Sequence, residues 1–311
     1  KTYLNDSKVT NQLIEEAYNR SLKEVKASHI LISFDENIKG ADTLAFYNKA
    51  LDLKKRIEKG ENFETVAIAN SQDPSVADNK GNLGYFSAFR MVYPFECAAY
   101  KTKIGQISNP VRTRFGYHII KVTDVRDNKG EVTVAHIMIL NPTDATAETT
   151  AKAKQTIDDI SKKIQQGESF EALATQFSED KSSAAKGGVL QRFGTGQLSS
   201  EAFENTAFSL VNKGDISQPF ESGFGWHIVK LIEKHPVKTF DESKVELESK
   251  IKRDERSIII TNTLANKLKS KYAVETNKIQ YQNVEKIVND AVYSQTWEIP
   301  KDINTIKDDV L

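Results

Sequence analysis

Two sets of three residues, each with two histidines and one aspartate, occur in the same order in two parts of the chain. The sets are His29, Asp73 and His118, and then His136, Asp180 and His227. Two imidazoles and a carboxylate could bind a metal ion or form a hydrogen-bonded group with fixed histidine tautomers. A lone histidine is more often a core residue with satisfied hydrogen bonds. Duplication favours a function, although duplicated domains keep structural residues as well.

The spacing argues against metal binding and against serine hydrolysis. The chain has no His-x-His or His-x-x-x-His pair, and phenylalanines near the histidines favour an apolar pocket. A Gly-x-Ser-x-Gly nucleophile motif is absent. The single cysteine, Cys97, excludes an internal disulfide and a cysteine-built metal site, and we expect it to be buried in a helix. We therefore expect no metal and no cofactor.

The two sets belong to an internal repeat. Residues 25–32 (VKASHILI) recur as 132–139 (VTVAHIMI), with 107 residues between the aligned histidines. Residues 105–110 and 115–118 recur at an offset of 109. Two one-residue insertions in the second repeat account for the increase from 107 to 109. The series predicts two homologous domains of about 100 residues.

The sequence pattern also predicts the elements that must position these residues. Alternating aliphatic residues over 26–33 indicate a strand that carries His29, and 116–124 indicate a closing strand that carries His118. A polar, glycine-bearing loop is expected over 71–84. Helices are expected over 42–59, 63–70 and 93–100. This order predicts an α+β fold, with a small antiparallel sheet surrounded by helices in each repeat.

The ends of the chain differ from the repeat. Residues 8–25 have a sparse apolar face that predicts a helix, and 240–272 predict one long charged helix with a solvated face. Residues 273–311 are weakly patterned, and Trp297 and Pro300 there indicate a packed tail or the stump of a longer protein. The expected division is a helical segment 1–24, a first repeat 25–126, a second repeat 131–235 and a helical segment 236–311.

Composition limits the partners. The 311 residues include 43 Lys plus Arg and 43 Asp plus Glu, so the formal net charge is zero. That balance argues against a nucleic-acid binder driven by counterion release and against attachment to membranes by charge. The sequence does not fix the oligomeric state. The chain begins at Lys1 rather than Met, as expected for the start of either a mature protein or an expressed fragment. A leader could have been removed, and its absence does not indicate a cytoplasmic protein.

Five motifs in order resemble the parvulin family of peptidyl-prolyl cis-trans isomerases. They are ASHILI (27–32), SQD (71–73), GNLGYF (81–86), MVYPFE (91–96) and FGYHIIK (115–121). The resemblance covers 25–125 and 132–233, and two such domains with helical flanks are similar to the SurA and PrsA group of cell-envelope foldases. It implies a location in the periplasm or cell envelope and partners that are unfolded or proline-containing polypeptides.

The resemblance implies roles for particular residues. The catalytic set implied is His29, Asp73, Thr113 and His118, and in the second repeat His136, Asp180, Ser222 and His227. The proline-binding set implied is Leu83, Met91, Phe95 and Phe115, and in the second repeat Leu190, Leu198, Phe203 and Phe224. No nucleophile is needed, because a dry pocket that prefers the twisted amide lowers the rotation barrier by differential binding.

The second repeat departs further from the family pattern. It has Leu198 where the family has methionine, and one extra residue before Phe203. We therefore expect the first repeat to be the better catalyst. Loops 33–40 (net acidic) and 141–147 (without a basic residue) lack the basic cluster of phosphate-selective parvulins, so no preference for phosphorylated substrates is expected. The alternative function is a chaperone module that binds unfolded segments without useful catalysis, with its helical flanks as the binding surface.

Overall fold

The computed structural model describes residues 7–34, 43–141 and 145–272, together with Ile279 and Gln282. Trp297 and Pro300 lie outside the described residues, so the two expectations for the tail remain predictions. Parts of the two loops considered for phosphate binding, 35–40 and 142–144, also lie outside them.

The chain divides into two compact units. The larger is Thr10–Ser257, and the smaller combines Lys1–Val9 with Ile258–Leu311. The described residues of the smaller unit are helical except for a turn at Tyr272. Both repeats lie in the larger unit. No helix within the described part of the chain has the length and apolar character that crossing a bilayer requires.

The first repeat forms an antiparallel sheet with helices on both faces. Helix α1 (Ser7–Ser21) precedes it. The strands are β1 (Lys23–Ser33), β2 (Asn82–Phe86), β3 (Val111–Thr113) and β4 (Gly116–Asp127). They pair in the order β2-β1-β4-β3. The helices are α2 (Leu44–Glu58), α3 (Phe63–Asn70), α4 (Val76–Asn79) and α5 (Tyr93–Lys101).

The second repeat has the same architecture. Its strands are β5 (Glu131–Leu140), β6 (Phe193–Gly194), β7 (Phe220–Ser222) and β8 (Gly225–His235), paired in the order β6-β5-β8-β7. Its helices are α6 (Ala147–Gln165), α7 (Phe170–Phe177) and α8 (Glu201–Ser209), and a 3₁₀ turn at Ala184–Lys186 takes the place of α4. Helices α9 (Phe240–Arg253) and α10 (Arg256–Lys271) follow. The predicted α+β class is confirmed, with two antiparallel four-stranded sheets in the described residues.

Strand alternation places the first histidine on a defined face. Ile30 and Ile32 of β1 belong to the core cluster under α2 and α3, whereas Ala27 belongs to the cluster that contains Phe95 of α5. Successive side chains of a strand point to opposite faces. His29, two residues from Ala27, therefore faces α5, and its ring lies beside that of Phe95.

The other three histidines of the two sets follow the same rule. In β4, Ile120 belongs to the α5-side cluster, and His118 lies two residues before it. In the second repeat Val134 and Val229 belong to the cluster under α8. His136 and His227, each two residues from one of these valines, face α8 beside the ring of Phe203. The period of two thus brings both histidines of each repeat to one face of its sheet.

A glycine in each repeat lets the aspartate-bearing loop lie against the first strand. The N–H of His29 donates to the carbonyl of Gly81 at 2.8 Å, and that of His136 to the carbonyl of Gly188 at 2.9 Å. A Cβ on Gly81 would lie 2.7 Å from the His29 carbonyl oxygen, and one on Gly188 would lie 2.2 Å from that of His136. Both glycines also have positive φ, so no other residue fits this approach.

The short helix before each aspartate has a capped N-terminus. The side chain of Asn62 accepts the N–H of Thr65, and that of Ser169 accepts the N–H of Ala172. Such caps contribute about 1 kcal/mol each. They fix where α3 and α7 begin and hence where the two aspartate loops leave the helices.

Two of the predicted boundaries are wrong. The helix predicted over 8–25 ends at Ser21, because Lys23 already pairs with Asp127 in the β1–β4 ladder. The loop predicted over 71–84 contains α4 and the start of β2. Pairing along the full length of β4 satisfies more backbone groups than one further helical turn would.

The helix predicted over 240–272 is two helices, and Cys97 is less buried than expected. Asp254 is extended, and its carboxylate accepts the N–H of Arg256 at 2.9 Å, which starts α10 as a separate helix. In α5 the buried side chains are Phe95, Glu96 and Ala99, whereas Cys97 is only partly buried. The prediction that Cys97 is buried is therefore wrong, and its neighbour Glu96 is buried instead.

The two repeats are joined by three residues, Asn128 to Gly130, between β4 and β5. The Asn128 side chain donates to the carbonyl of Ser21 and accepts the N–H of Gly130. The connection is therefore hydrogen-bonded at both of its ends.

Candidate functional site

His29 and His118 form a close pair in the first repeat. In the β1–β4 ladder His118 lies opposite Leu31, and His29 lies opposite Ile120, so the histidines are diagonal neighbours. Their Nδ1 atoms are 3.2 Å apart, and the rings are stacked at an interplanar angle of 13°. The residues are 5% and 4% exposed. One hydrogen bond joins the rings, which requires a proton on one Nδ1 and none on the other.

The outer nitrogens of the pair face Thr113 and Asp73. Thr113 Oγ1 lies 2.8 Å from Nε2 of His118 and also accepts the N–H of Phe115. Asp73 Oδ2 lies 3.0 Å from Nε2 of His29, close in distance although poorly aligned for a hydrogen bond. These contacts flank the two rings on opposite sides.

One protonation pattern satisfies every contact when both rings are neutral. A carboxylate only accepts, so Nε2 of His29 carries the proton that faces Asp73. Its Nδ1 then accepts the proton on Nδ1 of His118. Nε2 of His118 in turn accepts the hydroxyl proton of Thr113. The rings are thereby oriented from both ends.

Burial keeps both rings neutral. Burial lowers the pKa of His29, with the charge of Asp73 opposing it. Burial and the neighbouring His29 lower the pKa of His118 to about 3. At neutral pH the pair therefore offers fixed dipoles and no net charge.

Asp73 stays ionised in this setting. Its Oδ1 accepts the N–H and the hydroxyl of Ser75 at 2.8 and 2.6 Å. Burial raises the pKa of Asp73, but the hydrogen bonds from Ser75 and the nearby His29 outweigh it, and the pKa is lowered. Ser75 was not predicted, although an aspartate followed two residues later by serine is the pattern of an Asx turn.

Three of the four predicted pocket residues of the first repeat come together. The Phe95 ring lies edge-on to both histidines, with centroids 5.6 Å from His29 and 5.3 Å from His118. Leu83 and Met91 are partly buried against the same cluster as Phe95. Phe115 is 47% exposed, and the described structure does not include it in that cluster.

The second repeat reproduces the outer contacts of the pair. Nε2 of His136 lies 2.7 Å from Asp180 Oδ2, and Nε2 of His227 lies 2.7 Å from the Ser222 hydroxyl. Asp180 also accepts from the hydroxyls of Ser182 and Ser183. Burial raises the pKa of Asp180, but the hydrogen bonds from Ser183 and His136 outweigh it, so the pKa is lowered.

The centre of the second pair differs. The rings of His136 and His227 are stacked with centroids 5.7 Å apart, and among the described residues neither Nδ1 has a hydrogen-bond partner. Burial lowers the pKa of His136, with Asp180 opposing. Burial and His136 lower the pKa of His227 to about 4. The second pair is neutral as well, but its rings are not joined.

A phenylalanine accounts for part of the difference between the repeats. Phe220 of β7 stacks on His227 with centroids 5.5 Å apart. Val111 occupies the equivalent position, since Val111 pairs with His118 as Phe220 pairs with His227. We did not predict a role for Phe220, but the 109-residue offset aligns these two residues.

The apolar residues of the second repeat are arranged like those of the first. Phe203 lies edge-on to His136 and His227. Leu190 and Leu198 pack against its cluster. Phe224 is 52% exposed. Leu83 of the first repeat and Leu198 of the second also line one cleft of about 370 Å³ between the repeats.

The chemistry that these sites support is non-covalent. An apolar ring can pack against Leu83, Met91 and Phe95, next to two oriented neutral imidazoles and the Thr113 hydroxyl. Such a site can bind an amide in one geometry through fixed dipoles. Within the described residues, no group of three or more His, Cys, Asp or Glu side chains is arranged to hold a metal ion.

Family comparisons match both repeats. A family model described as a PPIC-type PPIase domain matches residues 136–233, and a second model with the same description matches 14–126. Together they cover about two thirds of the chain. Both histidine pairs lie inside the matched regions.

Curated relatives are similar to parts of the chain. Foldase protein PrsA of Geobacillus kaustophilus is 41% identical over 129 residues, which are 42% of this chain and 42% of that protein. Chaperone SurA of Escherichia coli O157:H7 is 31% identical over 231 residues, which are 73% of this chain and 53% of that protein. The chain spans about half the length of the curated relatives it matches.

Two solved structures show similarity as well. The peptidylprolyl isomerase PrsA of Bacillus anthracis is 38% identical, with 38% of this chain and 52% of that chain covered and a TM-score of 0.31. The parvulin NmPin of Nitrosopumilus maritimus is also 38% identical, with 33% of this chain and 97% of that chain covered and a TM-score of 0.27.

Proposed function

Because this chain belongs to the PPIC-type peptidyl-prolyl isomerase family, with two such domains in tandem, we propose that it catalyses cis–trans isomerisation of X–Pro bonds in unfolded polypeptides. The observation that carries the proposal is the neutral pair of His29 and His118 beside the Phe95 ring, with the Nδ1 atoms 3.2 Å apart. The substrates are proline-containing segments of proteins that fold after export.

The proposed mechanism is preferential binding of the twisted amide. Rotation about a peptide bond faces a barrier of about 18–20 kcal/mol, because rotation breaks the amide resonance, and an X–Pro bond needs tens to hundreds of seconds unaided. Leu83, Met91 and Phe95 hold the proline ring in a dry pocket. Removal of water strengthens the effect of the fixed imidazole and hydroxyl dipoles on the twisted amide.

Each polar residue has a separate role in this proposal. His29 and His118 contact the substrate amide. Thr113 and Asp73 fix the tautomers of the pair from its two ends. The equivalent roles in the second repeat fall to His136, Asp180, Ser222 and His227, and the proline would contact Leu190, Leu198, Phe203 and Phe224. Phe115 and Phe224, which are exposed beside the two sites, would cover the substrate from the open side.

We assign the greater activity to the first repeat. Its histidines are joined by a hydrogen bond, whereas the rings of His136 and His227 are not. Val111 beside His118 is smaller than Phe220, whose ring stacks on His227 in the second repeat. Met91, more adaptable in shape than Leu198, further favours the first pocket.

The experiment that tests the proposal measures cis-to-trans conversion of unphosphorylated X-Pro peptides by the full chain. His118→Ala should lower kcat/KM at least tenfold, His227→Ala should lower it less, and the double variant should abolish catalysis. Circular dichroism and thermal unfolding check that each variant is folded. Wild-type rates in a folded double variant would exclude both proposed sites.

A second function, chaperone binding of unfolded segments, is favoured by apolar side chains on the C-terminal helices. Val245 of α9 is 79% exposed, and Ile258 and Leu268 of α10 are 57% and 41% exposed. Suppression of aggregation of a reduced, unfolded protein by the His118→Ala/His227→Ala variant measures this function without catalysis. Full suppression there would separate the two functions, and its loss would tie client binding to the two pockets.

The proposed location is the periplasm or cell envelope. This follows the group of cell-envelope foldases that the sequence resembles, and relatives bear the names foldase PrsA and chaperone SurA. Fractionation of cells that express the natural protein, with detection by antibody, tests it. Detection in the cytoplasmic fraction alone would contradict it.

A further inference from the structure

A buried glutamate follows the pocket phenylalanine in each repeat. Glu96 of α5, directly after Phe95, is 0% exposed. Its Oε2 accepts the N–H of Phe89 at 2.7 Å. Its Oε1 accepts from two arginines, Arg20 at 2.9 Å and Arg256 at 2.5 Å. Glu96 thus ties the loop before α5, which carries Met91, to residues outside the family motifs.

The two arginines come from the flanks of the first repeat. Arg20 lies in the last turn of α1, and Arg256 is the first residue of α10, 160 positions from Glu96. Arg256 is 0% exposed, and its guanidinium lies 4.1 Å from the Phe89 ring centroid and 4.4 Å from that of Tyr93. A buried guanidinium with charge and stacking partners is held in one geometry.

Phe89 is in a conformation that needs support. Its φ is +66°, in the left-handed region that residues with a Cβ adopt at a cost in energy. The hydrogen bond from its N–H to Glu96 and the stacking of its ring on Arg256 both favour this conformation. Phe89 lies two residues before Met91, so its backbone angle sets where the Met91 side chain enters the pocket.

In the second repeat, within the described residues, no arginine bonds the equivalent glutamate. Gly196, 107 positions after Phe89, has a φ of +73°, which glycine adopts without strain. Glu204, the counterpart of Glu96, accepts the N–H groups of Gly196, Gln197 and Leu198 at 2.8 to 2.9 Å. Glu204 therefore holds the Leu198 loop through groups of its own repeat, and Arg90 of the first repeat also donates to the Gly196 carbonyl.

From this contrast we infer that Arg256 and Arg20 are positioning residues for the first proline pocket. Acting through Glu96, they keep Phe89 in the left-handed region and so place Met91 for substrate. The inference rests on the proposed isomerase function and makes the first pocket depend on the helical flanks, whereas Glu204 of the second repeat is bonded to neither of the two arginines.

The test uses the full chain with His227→Ala in every protein, so that catalysis reports the first site. Arg256→Met should raise KM for an X-Pro peptide about tenfold and change kcat less than threefold. Arg253→Met, an exposed arginine of α9, is the matched control and should change neither value. If Arg256→Met does not fold, Arg256→Lys takes its place, because lysine keeps the charge but loses the planar stacking.

A rescue experiment separates positioning from general stability. Phe89→Gly added to Arg256→Met removes the strain at that position, as Gly196 does in the second repeat, and should return KM to within threefold of the Arg256 protein. A KM that stays high in the folded double variant would overturn the role assigned to Phe89. A folded Arg256→Met protein with unchanged KM would overturn the positioning role itself.

Amide hydrogen exchange provides a readout that does not need catalysis. Arg256→Met should speed exchange at Phe89 at least tenfold and leave exchange at Gln197 and Leu198, whose N–H groups donate to Glu204, unchanged. Unchanged exchange at Phe89 would overturn the inference. If the Arg256 protein with His227→Ala lacked isomerase activity, the activity assigned to the first repeat would fail, and the exchange result would still decide whether Arg256 holds the loop.

Discussion

Nδ1 of His29 and Nδ1 of His118, 3.2 Å apart, share one proton between two neutral rings. The shared proton links Asp73 at one end of the pair to Thr113 at the other. A change at either end therefore alters which ring nitrogens carry protons. The second repeat has both ends of this arrangement without the central hydrogen bond.

Replacing Phe220 with valine should make the second site more like the first. In a His118→Ala protein, Phe220→Val removes the ring stacked on His227 and should raise kcat/KM for an X-Pro peptide three- to tenfold. The reciprocal change, Val111→Phe in a His227→Ala protein, should lower kcat/KM by a similar factor. Unchanged rates in both proteins would show that this position does not shape the pockets.

Met91→Ala should weaken substrate binding more than turnover. Removing a fully buried methionine costs roughly 2–5 kcal/mol, but Met91 is only partly buried. We therefore expect Met91→Ala to weaken substrate binding by about 1.4 kcal/mol, which corresponds to a tenfold increase in KM. The measurement uses a His227→Ala protein. Leu198→Ala in a His118→Ala protein is the matched change in the other pocket. A tenfold fall in kcat at constant KM would place Met91 outside the binding step.

Acid should destabilise the fold through the histidine pairs. Unfolded histidines take up protons near pH 6.5, whereas burial keeps the pKa of His118 at about 3 and that of His227 at about 4. Between the folded and unfolded pKa values of each histidine, the unfolded state binds more protons than the folded state. The free energy of unfolding should therefore fall by about 1.4 kcal/mol per pH unit for each such histidine as pH drops from 6.5 towards 4.

Urea unfolding at pH 7.5, 6 and 5 measures this dependence. His118→Leu removes one titrating group and should make the pH dependence shallower. Above pH 6.5 the two proteins should share the same pH dependence, since neutral histidines contribute none in either state. An identical slope in both proteins below pH 6.5 would mean that His118 is protonated in the folded state.

Phosphorylation before proline should not improve the substrate. The basic cluster that pairs with phosphate is missing from loops 33–40 and 141–147. We expect kcat/KM for a phosphoserine-proline peptide to stay within threefold of that for serine-proline. A tenfold gain would contradict this, and Arg114→Ala, beside Thr113 on the β3–β4 turn, would then show whether that arginine binds the phosphate.

Much of the first site could be predicted from the sequence because strand geometry is regular. The alternation over 26–33 and 116–124 predicted that His29 and His118 lie on strands, and the family resemblance implied that they form a pair. The structure places the two strands side by side. The internal repeat then predicted the same arrangement for His136 and His227. Leu83, Met91 and Phe95 came from the family resemblance, and the structure brings them into one cluster.

The parts that could not be predicted depend on contacts between distant residues. Nothing near Arg256 in the sequence indicates that it reaches Glu96, 160 positions away. The separation of the His136 and His227 rings depends on side-chain packing, which no motif encodes. Helix α1 also ends earlier than its pattern predicts, since pairing of Lys23 with Asp127 outweighs local helix propensity.

The three-residue connection from Asn128 to Gly130 keeps the two proposed sites close together. Three residues span at most about 11 Å, so the repeats cannot drift apart as modules on a long tether. If both pockets bind proline segments as proposed, a polypeptide that leaves one pocket stays at high effective concentration near the other. Under the proposed function, polypeptides with two suitably spaced prolines should therefore be retained longer than single-proline peptides, through avidity and without any additional contact.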